Sequence, residues 1–314
     1  MMKVLFTYDY GKEQLDRIRG LGYEVVIINE DTFTELQVPF DADVLCCYNP
    51  FERVDINKFT KLKLILLSSI GIDFIPKDDI IKNSIILTNN RGGYSIPMGE
   101  WIVMNLLMLS KKSTTFWDNK KQKKWKLDTK LTELYGKTVT FLGTGTISTE
   151  AAKRLQGFGM NVVGVNTKGT ISQYFDKAYS LDEVKTAISM ADYLVMVLPF
   201  TEKTHHFLDQ EKLGWMKDSA RLINVSRGNV IDERAMTKAL KDKAIAGAAL
   251  DVFEEEPLSV DSELWDMDNV YISPHNSWIS ERRDARRFDL IYENLKAYIE
   301  DKPLKNVVDI QRGY

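Results

Sequence analysis

Cysteine is scarce in this chain. Cys46 and Cys47 are the only two in 314 residues, and they are adjacent. Neighbours on a strand point to opposite faces, which argues against a bridge between them and fits a reducing, cytoplasmic setting. Histidine is nearly as rare, with three residues and no spaced Cys/His cluster, so a structural metal site has no support. No apolar run approaches the roughly 18 residues of a membrane span. The start, "MMKVLFTYDYGKEQL", turns polar after one short apolar run, too short for a signal-peptide core. Positive charge is not in excess either. With 42 Lys and Arg against 45 Asp and Glu, the net charge of -3 speaks against nucleic acid as a partner. The basic run "NKKQKKWK" therefore reads as a solvated helix face or arm. Internal repeats and low-complexity linkers are also missing.

What is present is alternation. Strand-like runs ("KVLFTY", "YEVVIIN", "DVLCCY", "LKLILLSS", "SIILTNN") are separated by helical stretches such as "GKEQLDRIRGLG". From about Lys137 six more follow: "TVTFLG", "NVVGVN", "YLVMVLP", "RLINVS", "IAGAALDV" and "NVYISPH". This pattern predicts α/β architecture with parallel sheets, and the second set has the strand content of a dinucleotide-binding domain. The length suits two domains. The final helical stretch, "ISERRDARRFDLIYENLKAYIED", is expected to return to the first. The expected division is 1–107 with 281–314, and 108–280.

The segment "TVTFLGTGTISTEAAKRL" places Gly143 and Gly145 between a strand and a helix. Gly143 permits a tight turn, and Gly145 lets the backbone approach a pyrophosphate at the helix N-terminus. The third small position of that fingerprint holds Ser148. About twenty residues on, where NAD-binding chains carry an acid for the ribose hydroxyl, this chain has Asn166, then Thr167 and Lys168. With no carboxylate to repel a 2′-phosphate, NADP is expected to be preferred, with NAD possible. Arg227 in "LINVSRGNVID", Glu256 in "FEEEP" and His275 in "YISPHNSW" each follow or close a strand of the same sheet. All three can meet at its carboxyl edge. A carbonyl substrate needs such a set: a carboxylate anchor, a proton donor, and an acid that keeps the donor charged. His205 and His206 read as structural residues. The aromatic residues of "CYNPF" and Trp278 are weak candidates for a pocket lining.

Taken in order and spacing, "LGTGTIS", "LPFTEKTHHFL", "LINVSRGNVIDERAM", "GAALDVFEEEPL" and "NVYISPHNS" resemble the D-isomer-specific 2-hydroxyacid dehydrogenases. So do "LLSSIGIDFIP" and "NNRGGYSIPMGEW". The resemblance implies two Rossmann-like, doubly wound parallel-sheet domains: a flavodoxin-like substrate domain and an NAD(P)-binding domain that close over a cleft. It implies hydride transfer between NAD(P)H and a small 2-oxo or 2-hydroxy acid, with catalytic roles for Arg227, Glu256 and His275. Arg227 would bind the substrate carboxylate, helped by backbone N–H groups at Ile70 and Gly71. His275 would be the acid/base, and Glu256 would raise its pKa. Thr146 and Ile147 would join the pyrophosphate turn. Leu198, Pro199, Val225, Ser226 and Asp251 would contact the cofactor further along. A homodimer through "EWIVMNLLMLSKK" and the arm after it is also implied. A dinucleotide-sensing corepressor on the same fold is the alternative.

Overall fold

The computed structural model describes residues 1–313, which form two compact units: Met1–Tyr94 with Ser280 onward, and Ser95–Ile279. The helix Ser95–Lys111 thus lies wholly in the second unit, which corrects the expected boundary at 107/108, a point inside that helix.

The first unit is built on five parallel strands: β1 (Met2–Phe6), β2 (Tyr23–Ile27), β3 (Val44–Cys47), β4 (Leu64–Leu67) and β5 (Ile86–Thr88). Their order is β2-β1-β3-β4-β5, the flavodoxin-like arrangement. Helices α1 (Lys12–Gly20) and α2 (Lys77–Lys82) fall between strands. Period-two alternation divides the buried strand residues between two faces. Leu5, Leu45, Cys47, Ile65 and Leu67 share one core, and Val4, Phe6, Val44, Cys46, Leu64 and Leu66 share the other. The two cysteines are therefore buried thiols on opposite sides of one strand. The last long helix of the chain, Arg283–Ile299, brings Phe288, Ile291 and Leu295 into the second of these cores. Leu295 is fully buried. Leu295→Ala is expected to cost about 2–5 kcal/mol in denaturant unfolding. A cost below about 0.5 kcal/mol would mean that this helix is not part of the unit's core.

The second unit adds helices α3 (Ser95–Lys111) and α4 (Ser113–Lys121) and then seven parallel strands. These are β6 (Thr138–Leu142), β7 (Asn161–Val165), β8 (Lys177–Tyr179), β9 (Tyr193–Met196), β10 (Arg221–Asn224), β11 (Gly247–Leu250) and β12 (Val270–Ile272). Between them run α5 (Thr146–Gln156), α6 (Val184–Met190), α7 (Gln210–Leu213) and α8 (Glu233–Lys241); Arg283–Ile299 is then α9. The sheet order is β12-β11-β10-β9-β6-β7-β8. Chain direction reverses its progress between β6 and β9, and the carboxyl ends at such a switch point are where open α/β sheets bind ligands. Six of the seven strands match the sequence pattern. The unforeseen one, β8, is a three-residue edge strand with one buried residue, too short to show a period. Among the described residues no helix is long and apolar enough to cross a membrane, and no three His, Cys, Asp or Glu side chains group as a metal site would require.

Candidate active site

Three loops at the carboxyl edge of the second unit's sheet hold most of the expected site residues. The first follows β6. Gly143 sits at φ +100°, in the region that favours glycine, and a Cβ there would lie 2.7 Å from the Val197 carbonyl oxygen. Gly145 precedes α5 as its N-cap with no side-chain cap, so Thr146 and Ile147 begin the helix without a carboxylate or hydroxyl closing its end. No acidic residue lies in that first turn. A helix end of this kind suits a phosphate. Ser148 is fully buried, and its hydroxyl donates to the Gly143 carbonyl at 2.7 Å. The third position of the fingerprint thus tolerates serine because the turn itself supplies an acceptor. Leu198 and Pro199 follow β9, where the Thr204 hydroxyl donates to the Pro199 carbonyl at 2.7 Å.

Asn166 modifies an expectation. Its Nδ2 donates to Thr144 Oγ1 at 3.1 Å and to the Thr170 carbonyl at 2.7 Å. Its Oδ1 accepts from the backbone N–H groups of Lys168 and Thr170, both at 3.1 Å. An amide has two donor hydrogens and two acceptor lone pairs, and all four are committed to shaping this loop. The neighbouring side chains of Thr167 and Lys168 are exposed.

The second loop follows β10. Buried Asn224 organises it: Oδ1 accepts from the Ser226 N–H at 3.0 Å and the Ser226 hydroxyl at 2.7 Å, while Nδ2 donates to the Arg227 carbonyl at 3.0 Å. Val225 and Ser226 are buried beneath it. The Arg227 guanidinium donates through Nη1 to the Ser226 carbonyl at 2.9 Å. Gly228 is required next, because a Cβ there would lie 1.8 Å from the carbonyl carbon of Phe253. That close approach presses the arginine loop against the segment carrying Glu256.

The third loop, after β12, carries His275. Its Nδ1 lies 2.8 Å from Glu256 Oε2. Glu256 Oε1 accepts from the Phe253 N–H at 3.1 Å. Burial works against the charge on Glu256. The hydrogen bond with His275, the Phe253 amide and the charges of His275 and Arg227 outweigh it, so the carboxyl titrates below the usual glutamate range. A depressed folded-state pKa gives stability that is present above the ordinary value near about 4.3 and lost as pH falls through the lower one. The stability gap between wild type and Glu256→Gln is therefore expected to narrow as pH drops below about 5 in thermal melts. A gap unchanged down to about pH 3 would contradict the pairing.

His275 has φ +50°, a conformation rare outside glycine but more tolerated by Asn, Asp and His. Asp251, 1% exposed, imposes it. Asp251 Oδ1 accepts from the Ser273 hydroxyl at 2.6 Å and the Asn276 N–H at 2.8 Å, and Oδ2 from the Ser277 N–H at 3.0 Å. The His275 N–H donates to the Asp251 carbonyl at 2.8 Å. The Trp278 indole donates to the His275 carbonyl at 2.9 Å. These supports for the histidine loop have no local sequence signal. Two residues before Glu256, Glu254 pairs with His206 at 2.8 Å, so the two conspicuous acids of the run have separate histidine partners.

Ile70 and Gly71 lie in the first unit, after β4. Their carbonyls are pinned by the Asn89 amide at 2.9 Å and the Ser69 hydroxyl at 3.0 Å.

Residues 103–277 match the family model "D-isomer specific 2-hydroxyacid dehydrogenase, NAD binding domain". The D-3-phosphoglycerate dehydrogenase of Methanocaldococcus jannaschii is 31% identical over 99% of this chain, which spans 60% of that protein's length. Among solved structures, a D-isomer specific 2-hydroxyacid dehydrogenase family protein from Aeromonas salmonicida has a TM-score of 0.85 at 29% identity, covering 98% of this chain and 99% of its own. A D-isomer specific 2-hydroxyacid dehydrogenase from Xanthobacter autotrophicus in complex with NADPH and MES has a TM-score of 0.84 at 26% identity, covering 100% and 99%. With these likenesses added to its sheet order and its loops, the chain belongs to the D-isomer specific 2-hydroxyacid dehydrogenase family.

Proposed function

We propose that this protein reduces a 2-oxo acid to a D-2-hydroxy acid with NAD(P)H. The observation that carries the reading is the 2.8 Å contact of His275 with a Glu256 carboxylate that also feels the charge of Arg227. The uncapped start of α5, with open space at Gly145, fits a dinucleotide pyrophosphate held by Thr146 and Ile147. The bound nicotinamide supplies the hydride for C2 of the substrate. Arg227 binds the substrate carboxylate and polarises the keto oxygen. Because Nδ1 of His275 is held by Glu256, Nε2 delivers the proton to the developing alkoxide. Glu256 orients the ring, and Asp251 fixes the loop.

NADP is the preferred cofactor in this reading, with NAD accepted, because the ribose-side loop offers Thr167 and Lys168 and no carboxylate. The NADPH complex of the Xanthobacter protein supports the same choice. Exposed Trp117 and Trp125, 60% and 100% accessible, fit burial in a homodimer through α3, α4 and the arm that follows. Steady-state assays of a 2-oxo acid panel with NADPH and NADH test the reading. Turnover with kcat/KM favouring NADPH is expected. Tight dinucleotide binding with no turnover of any acid would favour the corepressor alternative.

A further inference from the structure

His206 stands outside the residues placed in the reaction, yet it is tied to two of the segments that carry them. Its own N–H donates to the Asn229 carbonyl at 2.8 Å, two residues past Arg227. Its imidazole Nε2 meets Glu254 Oε1 at 2.8 Å, two residues before Glu256. One residue of the loop after β9 therefore joins the loop after β10 to the segment after β11.

The join is built on both sides. On the Arg227 side the two chains continue in parallel. The Leu208 N–H donates to the Val230 carbonyl at 3.0 Å, and the Asp232 N–H to the Leu208 carbonyl at 3.1 Å. Leu208, Val230 and Ile231 are buried in the second unit's core. On the Glu256 side, Glu254 and Glu233 cap each other's backbone. The Glu233 N–H donates to Glu254 Oε1 at 3.1 Å, and the Glu254 N–H to Glu233 Oε2 at 2.9 Å. That exchange brings two carboxyl groups together. Burial, then the charges of Glu254 and Glu255, push the Glu233 carboxyl above the usual glutamate range. A donor facing the pair offsets their repulsion, and the His206 imidazole supplies one. His206 itself stands at φ +47°, with its ring stacked on His205 at 3.9 Å between centroids.

The close approach of Gly228 to Phe253 fixes one point between the Arg227 and Glu256 segments. Two segments joined at one point can still pivot. A second join removes that freedom, and reacting groups must be placed to within an ångström or so. We propose that His206 is a positioning residue: paired with Glu254, it sets the Glu256 and His275 couple relative to Arg227. This rests on the reductase reading and adds a residue to that same site.

The test is His206→Asn. Asparagine accepts the positive φ and keeps the N–H for Asn229, but its side chain is too short to reach Glu254. With a 2-oxo acid and saturating NADPH, kcat is expected to fall about 10- to 100-fold, the cost of a misplacement of about 1 Å. The melting temperature and the dissociation constant for NADPH are expected to stay close to wild type, which a collapsed loop would not allow. Glu254→Ala breaks the same pair from the other side, and the double variant is expected to be no worse than the poorer single one. Losses that add would overturn the proposal, and so would wild-type kcat in either single variant. A second readout needs no turnover. The stability that ionised Glu256 contributes above its ordinary pKa measures how well it is seated against His275 and Arg227. In the His206→Asn background, the gap that Glu256→Gln opens in thermal melts at about pH 7 is expected to shrink by about half or more. An unchanged gap would overturn the proposal. If the wild-type protein turns over no acid, the reductase reading fails, and the gap still decides whether His206 positions Glu256. Wild-type turnover and gap in His206→Asn sink the positioning role alone.

Discussion

His275→Asn is expected to leave the fold intact and lower kcat by about 10²–10⁴, the usual contribution of a positioned general acid. Asparagine is the informative replacement because of the backbone. His275 stands at φ +50°, and asparagine tolerates that conformation far better than alanine. The loop's remaining ties, from Asp251 to Asn276 and Ser277, are untouched by the change. The imidazole is lost, and with it the proton that Glu256 helps to hold in place. A thermal melt near wild type together with a collapsed kcat is the expected pair of results. Wild-type turnover in this variant would remove His275 from the chemistry.

Arg227→Lys is expected to lower kcat/KM by about 30- to several-thousand-fold, corresponding to roughly 2–5 kcal/mol for a desolvated charge pair with one partner disabled. Lysine keeps the charge but not the planar fork that meets a carboxylate through two parallel hydrogen bonds. The loss should divide between KM, through the carboxylate, and kcat, through the keto oxygen. Asn224 holds the loop through the Arg227 carbonyl, and Gly228 seats it against Phe253, so neither support depends on the side chain exchanged. Unchanged KM and kcat would show that Arg227 does not touch substrate.

Much of this was legible in the sequence, for identifiable reasons. Eleven of the twelve strands announce themselves as apolar runs. β8 does not, because three edge residues with one buried side chain carry no pattern. Gly143 and Gly145 were readable because a strand and a helix flank them. The meaning of Ser148 was not, since it depends on a rotamer that reaches the Gly143 carbonyl. Asn166 shows the same limit. Its position is clear in the sequence, but only the structure shows its amide spent on its own loop. Three consecutive glutamates cannot be ranked from composition. Glu254 and Glu256 separate once each has its histidine.

The most direct measurement follows the hydride. Reduction of a 2-oxo acid with NADPH deuterated at the transferred position, in ordinary water, is read by mass spectrometry and chiral separation of the product. A D-2-hydroxy acid carrying deuterium at C2 is the expected result. A product of opposite configuration, hydrogen at C2 drawn from solvent, or no product from cofactor-loaded protein with any acid of the panel would contradict the proposed reaction.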